Sequence, residues 1–165
     1  MLELNVLDLR KRVLGPEHPC TLNAMANLAS TYSDQQKYEE AMNLQLKVLD
    51  VRKRVLGPEH PDTLTIIANI AATYSDQEKN EKALELRLNV LDVRKRVLGP
   101  EHPDTLISMA NLAAIYSKQG KHDEAQELQL KVLDVHKRVL GPEHPHTLTS
   151  MENLAVIMRR MGSWA

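Results

Sequence analysis

The chain has 165 residues, 42% apolar and 26% charged, a composition that fits a soluble globular protein and excludes a disordered one. Its 21 basic and 22 acidic side chains leave a formal charge of −1, so no long-range field favours nucleic acid or an anionic membrane as partner. The single cysteine, Cys20, excludes an internal disulfide, and the N-terminus has no long apolar run, so a cytoplasmic, reducing setting is expected.

The first predicted element is a helix over Leu2–Leu14. It runs into the heptad VLGPEHP at Val13–Pro19, which returns unaltered at Val55–Pro61, Val97–Pro103 and Val139–Pro145, 42 residues apart each time. The heptad holds a stop and a start. A glycine after the last apolar residue suits a left-handed C′ position, and the proline behind it forbids continuation. The second proline fits the first turn of the next helix, where a missing N–H costs nothing. Asp62 and Asp104 follow that proline and would offset the positive helix end, although Cys20 and His146 stand there in the other copies.

Helix pairs then follow in order, each an A and a B helix. They cover Pro19–Gln36 with Tyr38–Leu56, Pro61–Gln77 with Asn80–Leu98, and Pro103–Gln119 with His122–Leu140, and a last A helix runs over Pro145–Met161. In the third pair, Leu106, Met109, Leu112, Ala113 and Tyr116 fall on one face of A. Ala125, Leu128, Val132, Val135 and Val139 fall on one face of B, with Leu130, Leu133 and Leu140 beside it. Val55–Arg96 and Val97–Arg138 share 28 of 42 residues. Alanines recur where helices must approach, at Ala29, Ala71, Ala113 and Ala155 on A and at Ala41, Ala83 and Ala125 on B. A lone pair cannot bury both faces, so the pairs must stack. The expectation is an all-α, α-solenoid array of eight helices over residues 1–165. It divides into a partial helix B (1–14), three full repeats (15–56, 57–98, 99–140) and a partial repeat with helix A only (141–165).

The stretch NLAAIYSKQGKHDEAQELQLKVL at Asn111–Leu133 resembles the tetratricopeptide repeat (TPR), with its Leu-Ala pair, a tyrosine three residues on, a turn glycine and a helix-B alanine. The 42-residue period and VLGPEHPDTL are similar to the longer variety in kinesin light chains. The resemblance implies a right-handed superhelix whose A helices line a concave surface. It also implies a protein-interaction scaffold that binds an extended peptide in that groove. Where the family often carries a large aromatic in helix B, this chain has Gln45, Arg87 and Gln129, and the flanking Leu44 and Leu46, with their equivalents, are expected to take over the packing. Met158 replaces the recurring tyrosine in the last copy.

On the implied concave face, Asn27, Asn69, Asn111 and Asn153 return at 42-residue intervals. Asparagine inside a helix is mildly unfavourable and so asks for a reason. Either the amides bond the backbone of a peptide, or each bonds a neighbouring helix and fixes the stacking. Around this ladder lie Asn23, Thr65 and Ile107, then Ser30, and then Ser33, Ser75 and Ser117, a groove of mostly small residues. Only the last copy, with Arg159 and Arg160, offers cations for an acidic group. Four asparagines making one or two net bonds of ~0.5–1.5 kcal/mol each point to micromolar affinity once ordering costs are paid.

The basic runs at Arg10–Arg12, Arg52–Arg54, Arg94–Arg96 and His136–Arg138 lie near helix C-termini, where cations offset the dipole, and Asp50–Arg54 and Asp92–Arg96 are acid-first pairs four apart. They are expected to be solvated. His18, His60, His102 and His144 recur too far apart to share a metal ion, so a capping or packing role is expected and no metal. Cys20 reads as a substituted capping position. No nucleophile, base and orienting acid assemble, so neither an enzyme nor a cofactor is expected.

The second functional expectation concerns the ends. The length is three residues short of four full units. Leu2, Leu4 and Val6 lack a preceding helix A, and Met151, Leu154 and Met158 lack a following helix B. Each end offers the surface that the other lacks, so a self-assembling arm that stacks head to tail into a homo-oligomer is the alternative to the peptide groove.

Overall fold

A computed structural model describes residues 2–162. Eight helices follow one another, α1 (Leu2–Leu14), α2 (Pro19–Asp34), α3 (Tyr38–Leu56), α4 (Pro61–Asp76), α5 (Asn80–Val97), α6 (Pro103–Lys118), α7 (His122–Leu140) and α8 (Pro145–Arg160), and no strand occurs among the described residues. They match the expected elements to within two residues at every end. The chain divides into two compact units, Met1–Val90 and Leu91–Ala165.

The glycine, glutamate, histidine and second proline of the repeated heptad each have a local role. The Gly57 and Gly141 N–H groups close the last turns of α3 and α7 on the Lys53 and Lys137 carbonyls. Their dihedrals, φ 96 with ψ 161 and φ 91 with ψ 161, are not the left-handed helical C′ conformation expected from the sequence. They are an extended backbone of positive φ, a region open only to glycine. The glutamate forms a surface ion pair with the last arginine of the same repeat's B helix, Glu17 with Arg54 and Glu101 with Arg138. Arg54 therefore serves Glu17 and not Asp50. The histidine is the N-cap: the Nδ1 atoms of His18, His60, His102 and His144 accept from the backbone N–H two residues on, at 3.1–3.2 Å. The proline then opens the helix. Two residues past it, Thr63 and Thr147 are wholly buried and donate to the Gly57 and Gly141 carbonyls.

In the first unit, α1, α2, α3 and α4 pack consecutively, and α2 also runs along α4. Their core joins Leu7, Leu22, Met25, Leu28, Val48 and Ile66. In the second, α6 and α8 both pack on α7 and touch each other, around Ala113, Ala125 and Ile157. Ala29, Ala71, Ala113, Ala41, Ala83 and Ala125 are buried, the close-approach role expected of them.

Two expectations about side chains are corrected. Of the leucines expected to replace the missing helix-B aromatic, Leu44 and Leu128 pack against the cores, but Leu46 does not: it is 51% exposed, and Leu88 and Leu130 share its fate. The polar residue is itself buried. Gln45 donates to Thr73 Oγ1 (2.9 Å), and Gln129 donates to the Ser150 carbonyl (3.0 Å). A glutamine amide fills the space and ties B to the A helix of the next repeat, whereas a leucine would leave Thr73 without that partner. The basic runs are likewise not wholly solvated. Arg52 and Arg94, the first cation of each run, are buried. Arg52 donates to the Asp62 carbonyl (2.8 Å) and to Asn23 Oδ1 (2.6 Å); Arg94 donates to the Asp104 carbonyl (3.1 Å) and to Ser108 Oγ (2.8 Å). Arg10 reaches the Cys20 carbonyl in the same way (2.9 Å).

Candidate functional site: a cleft on the helix-A face

The A helices bury Leu, Ile, Met and Ala toward their B partners and turn a narrow polar face outward. Asn27 and Asn69 in the first unit, and Asn111 and Asn153 in the second, are exposed on that face. None of the four amide side chains forms a hydrogen bond within its unit. The backbone carbonyl of Asn69 accepts from Thr73 Oγ1 (3.2 Å) and from Gln45 Nε2 (3.5 Å).

In the second unit the α6–α8 face folds into a cleft of about 320 Å³. Asn111 and Asn153 line it from successive repeats, with Ala110, Ala114 and Val156 keeping its walls low and Gln129 of α7 at its side. Ser117, 5% exposed, sits within it and accepts from Arg160 Nη1 at 3.4 Å. Lys118 adds a second cation a full repeat from Arg160. Sequence reasoning missed Lys118, although it stands 42 residues before Arg160 and the period alone marks the two as equivalent. Arg159 is exposed and does not line the cleft.

The remaining expected groove residues are divided between roles. Asn23 is taken by Arg52. Ser33 donates to Asp76 Oδ2 (3.2 Å), and Thr65 donates to the Pro61 carbonyl (2.9 Å). Ile107 and Ser30 are exposed, and Ser75 is half-buried.

The groups whose pKa values shift lie on the B helices, α5 and α7. Burial lowers the Arg87 and Arg94 pKa values from their ordinary range, opposed by Asp76 and Asp104 respectively. Burial also lowers that of His136, followed by the charges of His146 and His144, with the hydrogen bond to the His146 backbone opposing. No cluster of three or more His, Cys, Asp or Glu that could hold a metal occurs among the described residues, and none of their helices is long and apolar enough to cross a membrane.

Consecutive helix pairs, a cleft on the A face and a 42-residue period define a helical-repeat protein. A family model described as Tetratricopeptide repeat matches residues 65–135 and 109–165, and a second of the same description matches residues 21–62, so the chain belongs to the tetratricopeptide repeat family. Among solved structures it is similar to a putative kinesin light chain from Podosopora anserina with nearly identical TPR-like repeats. Two crystal structures of that protein align at 30% identity and TM-scores of 0.77 and 0.75, covering 99% of this chain and 77% of that one. BtubC (BKLC) from P. vanneervenii aligns at 19% identity and a TM-score of 0.74 over 87% of this chain and 57% of its own, a likeness of fold alone. No curated protein sequence matches the chain.

Proposed function

We propose that the protein is a non-enzymatic scaffold of the cytoplasm that holds an extended peptide of a protein partner along its helix-A face. The observation that supports this reading is the cleft in the second unit, where Asn111 and Asn153 point exposed, unengaged amides from successive repeats into one space. A primary amide both donates and accepts, so it can satisfy a peptide group whatever the side chain beside it. The low Ala110 and Ala114 walls let a backbone come close. The same amides make poor stacking struts, because they bond no neighbouring helix.

A peptide array probed with the chain and with an Asn111→Ala/Asn153→Ala variant tests the reading. The variant is expected to lose at least tenfold in affinity for array-selected peptides while its melting temperature stays within about 2 °C, as surface changes without lost contacts do. Undiminished binding by the variant, or loss of binding together with several degrees of stability, overturns it.

A second reading, end-to-end association of copies, is favoured by a separate observation. Val6 is 38% exposed where Val48, Val90 and Val132 are enclosed, and Met151 is 44% exposed where Met25, Ile67 and Met109 are buried. Leu2 and Leu4 are exposed beside Val6, and Leu154 and Met158 are partly exposed beside Met151. In the first full repeat the equivalent Met25 and Val48 belong to one core, so α8 of one copy and α1 of a second carry matching surfaces.

A further inference from the structure

The junction between α7 and α8 differs in chemistry from the junctions earlier in the chain. At those, an arginine from helix B (Arg10, Arg52, Arg94) donates to the backbone at the start of the next A helix. A guanidinium stays charged at any physiological pH. At the α7–α8 junction the equivalent residue is His136, whose Nδ1 lies 2.8 Å from Ser150 Oγ and which bonds the His146 backbone. The residue after the opening proline also changes, from Asp62 and Asp104 to His146. With the N-cap His144, three imidazoles meet: the His136 and His146 rings are 6.1 Å apart, and those of His144 and His146 are 5.2 Å apart.

His144 caps α8 by accepting at Nδ1 from the His146 N–H (3.2 Å), as the other cap histidines do for their helices. What sets this junction apart is His136: a proton there places a cation against the positive end of α8, 6.1 Å from the His146 ring. Of the nearby carboxylates three are engaged elsewhere, and Glu143, directly before His144, holds no ion pair. Glu101, at the start of α6, pairs with Arg138; Asp134 on α7 also acts on Arg138; and Asp104 of α6 acts on Arg94. Among the charged groups, only His146 and His144 act on His136, both from α8 and its cap.

We propose that the α7–α8 junction is an acid-sensitive latch, in which protonation of His136, held against Ser150 and the His146 ring at the start of α8, loosens α8 and so dissolves the α6–α8 cleft. The latch is a property of the unliganded chain; only its consequence for a bound peptide rests on the groove reading. The sign follows from His136, whose folded pKa lies below its ordinary value. Folding favours the neutral ring, so its contribution is complete above an ordinary imidazole value of about 6.5 and drains away as pH falls from there toward the lowered value.

Hydrogen exchange of the whole chain without peptide, as protection factors corrected for intrinsic rates between pH 8 and 5, reads the latch directly. In the unaltered chain, protection of α8 is expected to drop about tenfold more than that of α2, α4 and α6. In His136→Arg/His146→Asp, which restores the interior pattern, that excess drop is expected to vanish. His136→Arg alone is expected to remove most of it and serves if the double variant misfolds. Equal pH dependence of all four helices, or an excess drop at α8 that survives in the variants, overturns the latch. Because no peptide is present, this failure is separable from failure of the groove, which the asparagine variants read at pH 7.5.

Discussion

Arg52 reaches from α3 to the backbone of α4 with one nitrogen and to Asn23 of α2 with the other. It joins three helices through a side chain that is almost entirely enclosed. Replacing it with alanine strands two acceptors and should cost ~2–3 kcal/mol, in the range for lost hydrogen bonds to a charged group. Lysine keeps the charge but cannot fork to both acceptors, so Arg52→Lys should recover at most half. Urea unfolding measures both, and full recovery by lysine would contradict the two-acceptor role. The sequence contains the clue to this burial. Ala41, Gln45, Val48 and Arg52 recur at spacings of four, three and four and form the buried stripe of α3. A run of three cations hides which member faces inward, and only the stripe tells them apart. The asparagines were legible as a periodic polar face, but Asn23 was not legible as a strut, because its partner lies 29 residues away.

At the scale of elements, the helix starts and stops were readable because proline, glycine and the cap residues act over a few positions. The A-to-B turns were readable only in part. The third turn places glycine at the left-handed position, with Gly120 at φ 77, as does Gly162 after α8 at φ 71, but the first two place Gln36 at φ 60 and Glu78 at φ 61. A side chain there costs ~1–2 kcal/mol, partly returned by the lower entropy of its unfolded state. Gln36→Gly and Glu78→Gly should therefore each stabilise the chain by ~0.5–1 kcal/mol, seen as a higher melting temperature. A lower one would mean that the side chains make contacts outweighing the strain. The histidine caps give the opposite test. His60→Ala should cost ~1 kcal/mol and His60→Asn very little, since asparagine is an equally good N-cap.

At the scale of the whole molecule, self-similarity carried the fold. A repeated unit that cannot bury its faces alone dictates stacking, and that physics is visible in the period before any coordinate is known. The partner is not visible in the same way, because a scaffold's specificity lies in exposed residues that folding does not constrain. The uncovered Val6 and Met151 surfaces predict association that rises with concentration and weakens when Leu4 and Val6 become glutamate, as sedimentation equilibrium would show. A chain of monomer mass at high concentration would contradict end-to-end pairing and leave the groove untouched.

The groove is tested most directly by the side-chain amide resonances of the four periodic asparagines during titration with an array-selected peptide. The account predicts that the Asn111 and Asn153 NH₂ pairs shift and saturate together with the backbone of α6 and α8. Unchanged asparagine amides, with shifts confined instead to helix-B faces around Leu46, Leu88 and Leu130, would contradict it.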